Sequence, residues 1–253
     1  MTLNLSNPSR VKAQALLHWL WPRAEDVWVL TEIGGGEGSR LIEAVCRQAG
    51  YSVMSSDVGS GRSALGVVVV ARDRELVADQ LRPSAVLPER MLAVRTDGLR
   101  LLAVYGAASD PVRYSNAAQR ARKREWLAQF APVVSAWSGS REPGVLIGDL
   151  NVPDPRHDPA LKYVMREELA FYRELTGAGL RDAFAEHHPD ADEPSWLDHT
   201  GLGCRYDHAF VTEGFVVRRC DLDQTPRIEG HTDHAALVLD VDAPGSSQSG
   251  APA

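Results

Sequence analysis

Apolar residues alternate between two spacings along most of this chain. Runs rich in Val, Ile, Leu, Tyr and Trp predict strands at 2–5, 26–31, 66–71, 91–96, 99–105, 145–147, 205–212 and 235–241. Apolar positions three or four residues apart predict helices at 11–21, 39–49, 115–137 and 159–176. The dipeptide Asp97-Gly98 separates two of the strands and predicts a tight hairpin.

This order of elements favours a layered α/β fold. Strand pairs joined by hairpins, with helices in both halves, predict two sheets packed face to face with helices outside, rather than a doubly wound parallel sheet. A Walker loop, a dinucleotide fingerprint and an internal repeat are absent from the sequence. Residues 1–242 are expected to form one domain, and 243–253, made of Gly, Ser, Pro, Ala and Gln, a disordered tail.

Charge and composition narrow the functional classes. The formal net charge of −7 argues against a broad basic face for nucleic acid but leaves room for a local groove. The densest basic run, 120–124, is interpreted as a solvated helix face. No apolar run approaches the roughly 20 residues of a membrane span, and the N-terminus lacks a signal-peptide pattern. We therefore expect a cytoplasmic monomer without stable membrane association.

Polar residues capable of chemistry fall at the ends of five predicted elements. They are Asn4, Glu32, the run Gly148-Asp149-Leu150-Asn151, the run Arg205-Tyr206-Asp207-His208, and the run Gly230-His231-Thr232-Asp233-His234. A carboxylate that ends an apolar strand is costly to bury unless it is paired. Each one alone is also typical of a cap or a turn, but five together indicate a shared cleft.

Metal-assisted hydrolysis is the chemistry that suits these residue types. Mg²⁺ prefers oxygen ligands and usually keeps several waters beside one or two carboxylates. Glu32 and Asp233 are carboxylates of that kind, and Asn4 adds a neutral oxygen. The histidines do not show zinc-ligand spacing, and the three cysteines form no CxxC pair, so they are expected to be reduced thiols in or near the core.

The order of these residues resembles the endonuclease/exonuclease/phosphatase superfamily. Three pieces carry the resemblance most specifically: Gly148-Asp-Leu-Asn151, Arg205-Tyr-Asp-His208 and Thr232-Asp-His234. The superfamily includes DNase-I-like nucleases, exonuclease III-type apurinic endonucleases, inositol polyphosphate phosphatases and sphingomyelinases. The resemblance implies the DNase-I-like fold: a four-layer α/β/β/α sandwich, with two mixed β-sheets packed face to face and helices outside.

The resemblance also implies a role for each matching residue. Glu32 would be the main ligand of Mg²⁺ or Mn²⁺, helped by Asn4 and Asp233. Asp207 would hold the far nitrogen of His234 and fix its tautomer.

The remaining matches would act on the phosphate and the water. His234 would contact the scissile phosphate, either as a donor or as the base for water. Asp149 would orient or deprotonate the attacking water, and Asn151 and Tyr105 would reach phosphate oxygens. The sequence leaves the choice of base open between Asp149 and His234.

Two further residues are candidates for substrate binding. Trp196 stands where family nucleases carry an aromatic-rich segment, and its role is divided between packing and substrate contact. That segment is shorter here than in apurinic endonucleases, which argues against specialisation on damaged DNA. Arg62 is a candidate for phosphate contact, as is Arg113 with Tyr114, although surface arginine is the commoner explanation.

The sequence therefore predicts a divalent-metal-dependent phosphodiesterase or nuclease acting on DNA. A phosphatase or phosphodiesterase for a small-molecule or lipid phosphate is the alternative, because one metal site serves both. An inactive binding module is a third reading, but it would be expected to lack Glu32, Asp149, Asp207 or His234, and all four are present.

Overall fold

The protein is built from fourteen strands and six α-helices in the part that the structure describes. This structure is a computed structural model covering residues 1–58, 64–108, 117–140, 142–156 and 164–242. The strands are β1 (Thr2–Asn4), β2 (Val27–Gly34), β3 (Ser52–Ser55), β4 (Leu65–Ala71), β5 (Val77–Ala78), β6 (Met91–Thr96), β7 (Leu99–Tyr105), β8 (Gly144–Asp149), β9 (Arg181–Asp182), β10 (Trp196–Leu197), β11 (Gly203–Cys204), β12 (Asp207–Val211), β13 (Val216–Asp223) and β14 (Ala236–Asp242). The helices are α1 (Arg10–Leu20), α2 (Glu37–Gln48), α3 (Ala117–Ser138), α4 (Arg166–Gly177), α5 (Ala183–His187) and α6 (Thr225–Ile228).

Two six-stranded sheets organise the molecule. The first has the order β13-β14-β1-β2-β4-β3 and the second has the order β5-β6-β7-β8-β12-β9, while β10 and β11 form a separate hairpin. Each sheet is mixed, because β1 runs parallel to β2 and β7 runs parallel to β8 whereas the other pairs are antiparallel. The predicted pair of mixed sheets is confirmed.

Three hydrophobic clusters hold the layers together. One lies between the sheets and contains Val29, Val69 and Ile147, among others. A second packs helices α1 and α2 on the outer face of the first sheet, and a third packs α3 and α4 on the outer face of the second. Because each sheet buries both faces, its central strands read as continuous apolar runs rather than as alternating patterns. The result is the expected α/β/β/α sandwich.

The hairpin between β6 and β7 follows its sequence signal closely. Asp97 and Gly98 both have positive φ, 47° and 76°, and Thr96 pairs with Leu99 on either side of them. A two-residue turn with two positive φ values matches the twist of the strands it joins.

Other predicted elements differ from the structure. Helix α2 begins at Glu37, two residues before the predicted start at 39, and the Ser39 hydroxyl accepts a hydrogen bond from the Gly34 amide at 3.0 Å. The described part of α4 starts at Arg166. Strand β13 was not predicted because four of its eight residues are charged, and pairing with β14 along its length holds it in place.

The interpretation of 120–124 as a solvated face is wrong for one residue. Lys123 is buried, whereas Arg122 and Arg124 are exposed. The three cysteines are buried free thiols, as expected. Among the described residues, no helix combines the length and the apolar character needed to cross a bilayer. The tail expected from 243 onward lies outside the described residues.

Candidate active site

Three neighbouring strands of the second sheet place chemistry-bearing residues side by side. Tyr105 ends β7, Asp149 ends β8, and Asp207 begins the antiparallel strand β12. Asp149 pairs in register with Tyr105 on one side and with Asp207 on the other. Residues far apart in sequence thus form one row at a single edge of the sheet.

Two glycines allow the backbones around this row to approach each other. A Cβ at Gly148, where φ is 149°, would lie 2.0 Å from the Val104 carbonyl oxygen. A Cβ at Gly106 would lie 1.9 Å from the Leu150 carbonyl oxygen. No side chain fits at either distance, so glycine is required at both positions.

The first sheet supplies the opposite wall through Asn4 and Glu32. Asn4 ends β1, and its Nδ2 donates to Asp149 Oδ2 at 2.8 Å, which joins the two sheets at the site. Glu32 lies at a register shift between Thr31 and Ile33, with φ of 54°. A bulge of this kind re-aims a side chain at the cost of backbone strain of roughly 1–3 kcal/mol. Glu32 Oε1 then accepts from the Tyr105 hydroxyl at 2.8 Å.

The Asp149 carboxylate is fixed by three donors. Besides Asn4, the Asn151 backbone amide donates to Oδ1 at 2.8 Å and Asn151 Nδ2 donates to Oδ2 at 3.0 Å. Asn151 has φ of 51°, a conformation that asparagine tolerates better than most residues. Asp149 therefore cannot rotate away without losing several hydrogen bonds.

A buried dyad occupies the other end of the row. His234 Nδ1 donates to Asp207 Oδ2 at 2.7 Å, which leaves Nε2 as the outward nitrogen. Ser195 lies beside the dyad: its Oγ accepts from the Asp207 amide at 3.0 Å, and its carbonyl accepts at 2.7 Å from the amide of Ala235, the residue after His234. Thr232 Oγ1 donates to the Asn4 carbonyl at 2.7 Å and so ties this segment to β1.

Burial and neighbouring charges shift the pKa values of this site. Burial raises the pKa of Asp149 to about 7, with His234 opposing the shift and Asp207 adding to it. Burial lowers the pKa of His234, but the charge and hydrogen bond of Asp207 outweigh it and raise that pKa to about 10. Burial and then the charge of Glu32 raise the pKa of Tyr105. All three groups are displaced toward keeping a proton, which is typical of a functional cleft.

Trp196 and Asp233 lie together at the exposed side of the site. Trp196 Nε1 donates to Asp233 Oδ2 at 3.1 Å, and the backbones of Trp196 and His234 form a β-bridge. The Trp196 ring also packs against Tyr206, with ring centroids 5.5 Å apart. Trp196 thus has a packing role, and its contact with substrate stays a prediction. Arg62, like Arg113 and Tyr114, lies outside the described residues.

The donors present fit a hard cation better than zinc. Across the described ranges, no three His, Cys, Asp or Glu side chains converge as a metal cluster. A structural zinc site needs four such ligands, whereas Mg²⁺ needs only one or two carboxylates and keeps waters. Glu32 and Asp233 are carboxylates of this kind, and their joint binding of a cation stays a prediction. The Asn4 amide oxygen accepts from the Ser6 amide at 2.8 Å, so its part in metal binding stays a prediction.

Two residues of the Arg205–His208 run have structural roles that the sequence analysis did not predict. Arg205 forms buried ion pairs with Asp154 at 2.6 Å and with Asp182 at 2.8 Å. His208 Nε2 donates to the Val152 carbonyl at 2.7 Å, and its Nδ1 accepts from Arg205 at 2.7 Å. Two members of the Arg205–His208 run therefore anchor the loop that follows β8, and the signal missed was the acidic partners far away in sequence.

Two other positively charged side chains, those of Lys123 and Arg90, contact residues of the site. Lys123 pairs with Glu168 in the interior and donates to the Asn151 carbonyl at 2.5 Å. Arg90 lies over the Tyr105 ring, 4.1 Å from its centroid, and donates to the Gly106 carbonyl at 2.8 Å. Arg90 was not singled out from the sequence, and Lys123 appeared there only as part of the basic run 120–124.

Comparison with known proteins agrees with this geometry. The Endonuclease/Exonuclease/phosphatase family model matches residues 1–228. No curated protein matches the chain by sequence.

Solved structures share the fold at low sequence identity. A 3′-5′ exonuclease from Neisseria meningitidis has a TM-score of 0.78 and 21% identity, over 95% of this chain and 98% of that one. A 3′ phosphatase from Neisseria bound to a product DNA hairpin has a TM-score of 0.75 and 22% identity, over 95% of this chain and 98% of that one. An AP endonuclease from Archaeoglobus fulgidus has a TM-score of 0.74 and 21% identity, over 96% of this chain and 98% of that one.

Proposed function

This chain belongs to the endonuclease/exonuclease/phosphatase family, and we propose that it is a divalent-metal-dependent phosphodiesterase acting on DNA. The observation that carries the proposal is the continuous row Tyr105, Asp149 and Asp207. Glu32 is hydrogen-bonded to one end of that row and His234 to the other. Residues arranged in this way could bind a metal ion, orient a water molecule and contact a phosphate.

Glu32 and Asp233 would hold the cation, which we take to be Mg²⁺, with Asn4 as a further oxygen donor. When bound, a divalent cation stabilises the charge that develops on the phosphate oxygens. The Tyr105 hydroxyl fixes one oxygen of Glu32 and leaves the other available.

The remaining residues would act on water and phosphate. Asp149, held by three donors, is placed to orient or deprotonate the attacking water. Asp207 fixes the tautomer of His234, so that Nε2 can donate to a non-bridging phosphate oxygen. Asn151 and Tyr105 would reach phosphate oxygens by exchanging their present acceptors, because Asn151 Nδ2 now donates to Asp149 and the Tyr105 hydroxyl to Glu32.

DNA is the substrate class that we favour. The two Neisseria structures and the archaeal one, to which this fold is similar, are described as a 3′-5′ exonuclease, a 3′ phosphatase with product DNA and an AP endonuclease. Trp196 beside Asp233 offers an aromatic surface at the exposed side of the site.

We further propose a cytoplasmic monomer whose catalytic domain comprises residues 1–242.

Metal removal tests this function directly. Purified protein, treated with EDTA and then resupplied with Mg²⁺, is assayed on labelled duplexes that carry a nick, a 3′-phosphate or an abasic site. We expect no cleavage with EDTA and full recovery with Mg²⁺, because Glu32 and Asp233 need the cation to engage an anionic phosphate. An Asp149→Asn sample purified in parallel controls for contaminating nucleases.

The same assay weighs the alternative substrate class. Sugar phosphates and inositol phosphates are tested beside the DNA substrates under identical conditions. Turnover of these compounds without cleavage of any DNA would show that the substrates are small phosphate esters rather than DNA. Absence of hydrolysis of every substrate by folded protein would contradict the proposal altogether.

A further inference from the structure

We propose that Arg90 is a positioning residue that holds Tyr105 against Glu32 and thereby sets the affinity of the metal site. This inference rests on the proposed function, since it concerns the same site. Arg90 is the last residue of the short 3₁₀ turn Pro88–Arg90 and directly precedes β6. It belongs to none of the motifs that mark the site in the sequence.

The guanidinium of Arg90 covers one face of the Tyr105 ring. Its central carbon lies 4.1 Å from the ring centroid, and Nη1 donates to the Gly106 carbonyl at 2.8 Å. The side chain is therefore held at both the ring and the backbone of the next residue. A planar group fixed in this way restricts the tilt of the tyrosine ring.

Tyr105 transmits this restraint to the metal ligand. Its ring is almost fully buried, and its hydroxyl donates to Glu32 Oε1 at 2.8 Å. Glu32 sits on a bulge with φ of 54°, so its own backbone does not fix the carboxylate as a regular strand would. Partners that orient a ligand carboxylate typically change metal affinity 10- to 100-fold when they are removed.

Arg90 also shares an acceptor with Asn151. The Gly106 carbonyl that accepts from Arg90 also accepts from Asn151 Nδ2 at 3.3 Å. Asn151 in turn holds Asp149. The guanidinium of Arg90 thus contacts Tyr105 directly and is linked to Asn151 through the Gly106 carbonyl.

The charge of Arg90 is not used in an ion pair within the described ranges. Other arginines there, such as Arg74 and Arg95, each contact two carboxylates, whereas Arg90 has none at ion-pair distance and is half-buried. Its contacts are instead the Tyr105 ring and the Gly106 carbonyl. This pattern favours a positioning role over a purely electrostatic one on the surface.

Direct measurement of Mn²⁺ binding by electron paramagnetic resonance tests the inference without relying on turnover. We expect Arg90→Met to weaken Mn²⁺ affinity about 10-fold or more. Arg90→Lys keeps the charge but loses the planar stack, and it should resemble Arg90→Met more than the wild type. Arg72→Met is the matched control, because Arg72 likewise lies over a tyrosine ring, that of Tyr51, and donates to a backbone carbonyl away from the site. It should bind Mn²⁺ like the wild type.

A double-variant cycle with Tyr105→Phe identifies the route. If Arg90 acts through Tyr105, the double variant should bind Mn²⁺ about as weakly as Tyr105→Phe alone. Unchanged affinity in both Arg90 variants would overturn the inference, as would fully additive losses. A change confined to the KM for DNA that Arg90→Lys restores would likewise overturn it, because it would indicate direct substrate contact.

Circular dichroism checks that each variant is folded, and Arg90→Lys retains the test if Arg90→Met unfolds. Failure of the proposed function has a different signature. In that case the wild-type protein itself would neither bind Mn²⁺ nor hydrolyse any phosphate ester.

Discussion

Replacing Asp149 by asparagine is expected to lower kcat by about 10³-fold while leaving the fold intact, in line with the usual 10²–10⁴-fold contribution of a positioned acid or base. The carboxylate accepts hydrogen bonds from Asn4 Nδ2 and from Asn151 at two atoms. Asparagine preserves the shape but turns one acceptor into a donor that faces other donors. The side chain must then rotate or lose a bond, and the negative charge is gone.

Steady-state kinetics on the best DNA substrate, with circular dichroism in parallel, checks this prediction. Asp190→Asn is a matched control, because Asp190 is exposed and its substitution removes the same charge from the protein surface. It should leave kcat unchanged. A kcat of the Asp149 variant within a few-fold of the wild type would show that this carboxylate takes no part in the chemistry.

The second large effect concerns stability and involves Lys123. Changing Lys123 to methionine is expected to lower the free energy of unfolding by about 3–5 kcal/mol, the usual loss when one partner of a buried ion pair is removed. Lys123 and Glu168 are both 1% exposed, so the variant would leave the Glu168 carboxyl in the interior without the ammonium that now pairs with it. Urea denaturation measures the loss.

A paired variant separates charge burial from packing. Lys123→Met combined with Glu168→Gln removes both charges and leaves an amide oxygen to accept from the Met165 amide, as Glu168 Oε2 now does. We expect most of the lost stability to return. Full-sized destabilisation in the double variant would show that packing, rather than loss of the ion pair, dominates.

Catalysis should not recover with stability in that double variant. The Asn151 carbonyl loses its bond from Lys123 in both variants, and Asn151 holds the Asp149 carboxylate. When a neighbour that positions a catalytic group is removed, that group is misplaced and the catalytic rate falls, even if the protein stays folded. A double variant with both stability and kcat near wild type would place Lys123 outside the catalytic network.

The fold was predictable because its signals are local. The valine run of β4 and the Asp97-Gly98 turn specify a strand and a hairpin within a few residues. The polar residues of the site were predictable for a related reason: they end apolar strands, and strand ends meet at a sheet edge. The order of Asn4, Glu32 and Asp149 was therefore enough to predict that they share a cleft.

What the sequence did not reveal depends on partners far along the chain. Lys123 reads as one member of a basic run, and only its contact with Glu168 explains its burial. Arg205 reads as part of a motif with Asp207, yet it pairs with Asp154 and Asp182. Such ion pairs join distant segments, and no local periodicity reports them.

Arg90 illustrates the same limit at the site itself. It lies outside every motif, and its importance comes from the ring of Tyr105 on the neighbouring strand β7. The bulge at Glu32 is similar, because the sequence Thr31-Glu32-Ile33 contains no glycine or proline to mark it. Strain of this kind becomes visible only in the folded chain.

Anomalous scattering from a crystal grown with Mn²⁺ tests the central claim most directly. If Asn4, Glu32, Asp149, Asp207 and His234 surround a cation site, the strongest peak will lie within coordination distance of the Glu32 carboxylate, roughly 2–2.5 Å. Asp233 will face the same ion, and the peak will vanish in Glu32→Gln. A strongest peak elsewhere on the protein, or one that survives in Glu32→Gln, would contradict the account.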